Sequence, residues 1–446
     1  MTRFFVFFVT FLTLFSFPNI VNCQIISTIA GGGTLLGDGG YATSAHIYDP
    51  SGILYDKYNN LYIVTCLGTN RIRKVDTNGV ITTFAGTGIS GFFGDGGPAT
   101  NAKLNSPVDI AIDSNKNIYF SDAANNVIRK IDSLGIISTI AGTTVAGFSG
   151  DGGTAILAKL NNPNGICFDK SGNLYICDVY NYRVRKVSSS GIISTFAGVG
   201  TFGFSGDSGP ATDAQIWAST VTSDLHGNIF IADKYRIRRV DTNGIISTIA
   251  GNGISTYIGD NIPATSAQLS PDWIKMDANN NLYIGDNINY RVYKIDTGGI
   301  FHWIAGDGST GSGVDGVLAT LSPIYYPGGI AFDRCGNLIV TEINHNKIRK
   351  ITYDSCTSSI TYLDNQQETN NEAYIFPNPA SGFLEIIYNS DSYFLIITDI
   401  FGKQLIGKQC NSHQENTDIS ELLPGLYYIV IIDSDNKKTV KKIIKN

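Results

Sequence analysis

The heptapeptide IISTIAG that ends at Gly31 returns as VITTFAG ending at Gly86, IISTIAG at Gly142, IISTFAG at Gly198, IISTIAG at Gly251 and IFHWIAG at Gly306, at intervals of 55, 56, 56, 53 and 55 residues. Between successive runs lies a hairpin pattern such as GICFDKSGNLYICD (165–178), then a basic strand pattern such as YRVRKV (182–187). Each unit thus supplies four short strands, with Asp, Asn and Gly at the bends. A lone four-stranded sheet cannot bury both of its faces, so this repetition predicts radial stacking into a six-bladed β-propeller. The count also predicts how the ring closes. The run Ile25 to Gly31 precedes any hairpin, and the last hairpin set, Pro327 to Ile351, has no such run after it. The N-terminal strand is therefore expected to complete the sixth blade and remove its exposed edge.

The repeat also disposes of a nucleotide-binding reading of Gly86-x-Gly88-x-x-Gly91. A dinucleotide fold needs one such turn between a strand and a helix. Here the spelling recurs at Gly198 and Gly306, and Gly91 leads into FFGDGGPATNAKLNSP, too rich in Gly and Pro for a helix. These glycines are expected to carry the chain from the outer edge of one blade to the centre of the next. With 49 Gly, 2 Met and 43% hydrophobic residues, the composition agrees with strands and tight turns around a sizeable core, and a net charge of −6 argues against a general polyanion binder.

The chain opens MTRFFVFFVTFLTLFSFPNIVNCQ, one Arg followed by an apolar run from Phe4 to Phe17. This predicts a secretory signal over residues 1–23, with cleavage after Cys23 and passage through the Sec route and periplasm. Lipidation of Cys23 is the alternative, since IVNC loosely resembles a bacterial lipobox. No other apolar run is long enough for a transmembrane helix, so the mature chain is expected to be secreted or surface-attached.

The unit PNGICFDKSGNLYICDVYNYRVRKV (163–187), with connectors such as FGDGGPATNAKL (93–104), resembles the NHL-repeat family across residues 24 to about 354. That resemblance implies the propeller, assigned to residues 24–356, but leaves function open, because NHL-like propellers include lyases, binding modules and extracellular domains. After Cys356 comes a polar linker, residues 357–372, then YIFPNPASGFLEIIY, FLIITDIFGKQL, TDISELLPGLYYIVIID and TVKKIIKN. Alternating strands with Gly and Pro turns predict a small Ig-like β-sandwich over residues 373–446. It resembles the C-terminal sorting domain of the type IX secretion system through Pro377-Asn378-Pro379, the turn at Gly402, LPGLYYIVI with Gly425, and the basic end with Lys441, Lys442 and Lys445. The resemblance implies the secretion machinery as partner and the outer-membrane surface or medium as destination.

Residues common to all blades are expected to build blades, and function is sought where a blade departs. The carboxylates Asp122, Asp178, Asp233 and Asp286 at strand ends, and the connector acids Asp38, Asp95, Asp151, Asp207, Asp260 and Asp315, are read as turn caps. Calcium at GDGG connectors or at Asp113 is the weaker alternative, so no cofactor is assigned. Half of the 32 basic residues lie on third strands, evenly around the ring, and are read as solvated positions with ion pairs inside each blade, which argues against nucleic acid as a partner. The five histidines occupy five different repeat slots, so no metal set and no catalytic residue is assigned. The first two residues of the inner strand do vary: Ser51-Gly52, Val108-Asp109, Asn164-Gly165, Ser219-Thr220, Asp272-Trp273 and Gly328-Gly329. Asp109, Asn164, Asp272 and Trp273 are therefore the candidate ligand contacts at the central mouth, suited to a glycan or peptide. A binding propeller is favoured, with an extracellular lyase or hydrolase at the same mouth as the alternative. Finally, Cys335 in the first turn of blade six and Cys356 after its third strand are expected on one face, where a disulfide would close the blade.

Overall fold

A computed structural model of the protein describes residues 24–353, 374–376, 382–388, 390, 392–398, 404–423, 425–433 and 438–445. The signal segment, the linker, Cys356, Pro377, Asn378, Pro379 and Gly402 lie outside the described residues.

Blade three shows how the sequence makes the unit. Its strands Pro163–Phe168, Leu174–Asp178, Arg183–Val187 and Ile193–Ala197 pair antiparallel in that order. The first hairpin is set by Asp169. Its Oδ1 accepts the Ser171 and Asn173 N–H groups at 2.9 Å each, and its Oδ2 accepts the Asn173 amide at 2.7 Å and the Tyr175 hydroxyl at 3.1 Å. The same Asp-to-Asn turn recurs at Asp113, whose oxygens accept from the Asn117 backbone and amide and from the Tyr119 hydroxyl. Asp113 is thus a turn-forming acid.

The inner strands Pro50–Tyr55, Pro107–Ile112, Pro163–Phe168, Ala218–Ser223, Pro271–Met276 and Pro327–Phe332 pack side by side around the axis, the sixth returning to the first. Between blades two and three, Ile128, Leu160, Ile176 and Ile193 share one core with the connector alanines Ala155 and Ala158. Each such fully buried Ile contributes about 1.5–3 kcal/mol. The glycine closing each IAG run is the exit from the outer strand. Gly142 has φ +93°, and a Cβ there would strike the Asn126 carbonyl, so only glycine passes at this point.

Closure is as the count predicts. Ile25–Gly31 pairs antiparallel with Lys347–Thr352, from Ile25 opposite Thr352 to Gly31 opposite Lys347. Toward the C-terminus, a sheet of Tyr374–Phe376, Phe383–Ile387 and Gln414–Asp418 faces one of Tyr393–Thr398, Gln404–Cys410, Gly425–Asp433 and Lys438–Lys445. Leu384 and Ile386 of the first meet Leu395, Ile397, Ile429 and Ile443 of the second in one buried cluster, which makes the sandwich.

Candidate functional site

The repeated charges build the scaffold. In blade three the Asp178 carboxylate accepts the Asn161 N–H at 2.7 Å and the Asn181 amide at 2.7 Å. Arg185, fully buried, bridges Asp178 at 3.4 Å and the connector acid Asp151 at 2.5 Å, with the Phe148 ring 4.7 Å away. Arg129 repeats this with Asp122 and Asp95, Arg238 with Asp233 and Asp207, and Arg349 with Glu342 and Asp315. The middle base of the third strand is therefore not solvated, contrary to the expectation from sequence. It is the internal tie between a blade and its connector. Blade five departs. Tyr293 replaces the arginine, and Asp286 instead accepts N–H groups of Ser270, Ile288 and Asn289 and the Asn289 side-chain amide. Burial pushes Asp122, Asp178 and Asp286 up to about 6 each.

The structure separates the four candidate contacts. Asp109 and Trp273 occupy the central channel, beside the iris formed by Ile53, Ile166, Val221, Ile274 and Ile330. Trp273 is 7% exposed. Asp109 accepts the N–H of Ile110 and, across the blade boundary, of Ile166, both at 2.8 Å, and burial raises it to about 6. The equivalent residues of blades one, three and six are Gly52, Gly165 and Gly329. A Cβ on Gly165 would overlap the Thr220 backbone, so the inner strands meet too closely for side chains there. The free space left in the channel is about 10 Å³, room for no more than a single water. Trp273 plugs the axis, and Trp273→Ala is expected to lower unfolding free energy by about 3 kcal/mol, read by denaturant titration. Asn164 is half-buried at the start of its inner strand and lines none of these spaces.

Asp272 points elsewhere, into a cleft of about 360 Å³ off the axis between blades four, five and six. Its Oδ2 accepts the Asn287 amide at 3.1 Å, and the same amide nitrogen donates to the Tyr326 hydroxyl at 3.1 Å. Burial raises Asp272 to about 6, with the Asn287 contact opposing it. The opposite wall is aromatic. Trp217 and Phe202 meet edge to face with centroids 5.1 Å apart, and the Lys234 ammonium sits 4.7 Å from the Phe202 centroid and 5.2 Å from that of Tyr235. Sequence reasoning missed Phe202, Trp217, Lys234, Tyr235 and Asn287, although the 53-residue interval from Gly198 to Gly251 marks the place. Blade four joins Asp233 to Arg236 through Lys234 and Tyr235 alone, where blade three has the four residues Val179 to Tyr182. The shortened turn leaves the cleft open, and Trp217 stands at the strand entry where blade three has Asn161, its N–H on Asp233 as that of Asn161 is on Asp178.

Cys167 and Cys177 are buried thiols in one core cluster, and the first turn of blade six places the Cys335 N–H on Asp333 at 2.9 Å. In the sandwich, Gly425 pairs opposite Lys445, and Lys441 and Lys442 pair opposite Ile429 and Tyr428.

Residues 374–446 match the secretion system C-terminal sorting domain, and residues 90–148 and 144–205 match the teneurin NHL domain. Teneurin-1 of Mus musculus is 32% identical over 235 residues, which are 46% of this chain and 8% of the teneurin. NHL repeat-containing protein 2 of Homo sapiens is 24% identical over 377 residues, 82% of this chain and 46% of that protein. The chain thus spans less than half the length of these relatives. Two solved structures from Bacteroides thetaiotaomicron share the fold: a structural genomics protein of unknown function (TM-score 0.55, 17% identity, 74% of this chain and 76% of that one) and an auxiliary nutrient binding protein (TM-score 0.55, 15% identity, 74% and 77%). The chain carries an NHL-type six-bladed β-propeller and, over residues 374–446, a secretion-system C-terminal sorting domain.

Proposed function

We propose that the protein is an exported binding module that holds a saccharide in the off-axis cleft of blades four to six. The sorting domain marks the chain for secretion, and we infer that residues 1–23 take it through the Sec route, after which the type IX system delivers it to the outer-membrane surface or medium. The observation that carries the binding assignment is the coincidence of blade four's departures, Trp217 and the turn Lys234–Tyr235, with the one cleft that Asp272 enters. Aromatic faces suit the apolar faces of sugar rings, and Asp272, Ser219 and Asn287 supply acceptors and donors for hydroxyls. The nutrient-binding protein of the same fold agrees with this role.

Glycan and peptide arrays probed with the mature protein test the reading, followed by calorimetry on the best ligand. Trp217→Ala is expected to weaken binding by about tenfold or more, and because the indole also packs against the core between blades three and four, the melting midpoint falls with it and binding is read well below that midpoint. Because Asp272 lies raised to about 6, it is ionised above that pH and protonated below it. Binding that uses the carboxylate as acceptor should therefore fall as pH drops from about 7.5 to about 5, and Asp272→Asn should flatten that profile. Retention of peptides alone would replace the saccharide with a peptide ligand. Appearance of cleaved or unsaturated products would make the protein an extracellular hydrolase or lyase.

A further inference from the structure

The opposite face of the ring carries the turns between first and second strands and between third and outer strands. There, blades one and two enclose a cleft of about 440 Å³. Its floor is the edge-to-face pair Tyr62 and Phe84, with centroids 4.9 Å apart. Three ammonium groups surround it. Lys57 and Lys116 lie 5.1 and 5.3 Å from the Tyr58 ring centroid, Lys116 also donates to the Tyr58 hydroxyl at 3.0 Å, and Lys74 lies 5.8 Å from the Tyr62 centroid.

The cleft's carboxylates accept hydrogen bonds from their own turns. Asp56 accepts the N–H groups of Tyr58 and Asn60 and the Asn60 amide, and Asp132 accepts the N–H groups of Leu134 and Ile136. Among the described residues, no carboxylate oxygen lies within salt-bridge distance of Lys57, Lys74 or Lys116, whereas Lys350, in the same strand position of blade six, pairs with Asp333 at 2.8 Å. In blade one, as in blade three, a tyrosine fills the slot of Ile339, its hydroxyl reaches the turn acid and the strand lysine lies over its ring, so the feature particular to this cleft is Lys116 brought beside Lys57 and Tyr58. Lys116 is itself unusual. It sits at φ +70°, where blades three, four and six use Gly172, Gly227 and Gly336, so blade two places a long cation at a position that favours glycine. The paired ammoniums hold the Tyr58 phenol below its ordinary value, chiefly through the Lys116 hydrogen bond.

We propose that this cleft is a second ligand site, separate from the one above, and that it takes a saccharide ring bearing an oxyanion, a carboxylate or a sulfate. The lysines neutralise the anion and the aromatic floor carries the ring. An extended peptide fits less well, because the turn N–H groups it would need are held by Asp56 and Asp132.

Calorimetry on the mature protein with tetragalacturonate, a heparin-derived tetrasaccharide and neutral cellotetraose tests this at low and high salt. At least one anionic probe is expected to bind, with affinity falling about tenfold between about 20 mM and about 300 mM NaCl, and cellotetraose is expected to show no lysine-dependent binding. The double variant Lys57→Ala/Lys116→Ala should lose about tenfold in affinity, while Lys170→Ala, a lysine on another turn of this face, binds as the parent does. All these lysines lie on exposed or half-buried turns, and an unchanged melting midpoint confirms that the fold is kept. The proposal is overturned if neither anionic probe binds, if the double variant binds them undiminished, or if hexaglutamate binds as tightly with the same lysine dependence.

Discussion

Deleting residues 24–31 is expected to lower the melting midpoint of the propeller by about 10 °C or more, whereas deleting residues 374–446 moves it by no more than about 2 °C. The short strand does more than fill an edge. Ile26 and Ala30 are fully buried, the Ile26 N–H donates to the Val317 carbonyl at 3.0 Å, and the Ile26 carbonyl accepts the Gly316 N–H at 2.8 Å. The Thr28 hydroxyl donates to Asp315, the same acid that ties Arg349 to its connector. Its loss therefore bares the Lys347–Thr352 edge and loosens the connector from blade five to blade six, so aggregation should accompany the lower midpoint. The sandwich has its own core, and its deletion removes an independent unit. The same truncation is expected to retain the protein in the periplasm, measured by fractionation. Equal losses of midpoint for the two deletions would contradict closure by the N-terminal strand.

Arg185→Ala is expected to cost about 4 kcal/mol, measured by denaturant unfolding, because it leaves the buried Asp178 carboxylate without its cation. Arg183→Ala, two residues earlier and only half-buried, should cost less than about 1 kcal/mol. The pH dependence carries the sign of the effect. Asp178 is raised to about 6 by burial, above its unfolded value, so its contribution to stability is fully present below the unfolded pKa and is lost as pH rises through about 6. Removing Arg185 steepens that loss, and the variant should be penalised less at about pH 5 than at about pH 7.5. Adding Asp178→Asn to Arg185→Ala should recover part of the cost, the coupling expected of two residues in one buried pair. Blade five, with Tyr293 and an Asp286 supplied by N–H donors, is the chain's own example of the tie rebuilt without arginine.

The repeat determined the fold because each copy states the same local chemistry six times. β-Branched runs, Asp-to-Asn bends and glycine exits agree at every blade, and the offset between the first IAG run and the last hairpin leaves a single way to close the ring. The sorting domain was legible for a similar reason, since its turn and strand signals come in a set order. Which side chains face ligand was not legible. In blade three the pairing skips from Pro163 opposite Asp178 to Ile166 opposite Ile176, but in blade five it runs from Pro271 opposite Asp286 to Trp273 opposite Gly285. These differing irregularities at the strand entry accompany Trp273 on the axis and Asp272 in the side cleft, and alternation along the strand predicts neither. The buried arginines have a different origin. Val184 and Arg185 point to opposite faces of the blade, and both faces are covered, Val184 by the core shared with blade four and Arg185 by the connector that carries Phe148 and Asp151, so a strand that reads as a charged surface holds an arginine inside the fold. Local sequence set the strands and turns, and the pairing register with the packing of neighbouring blades decided which of their residues reach the clefts.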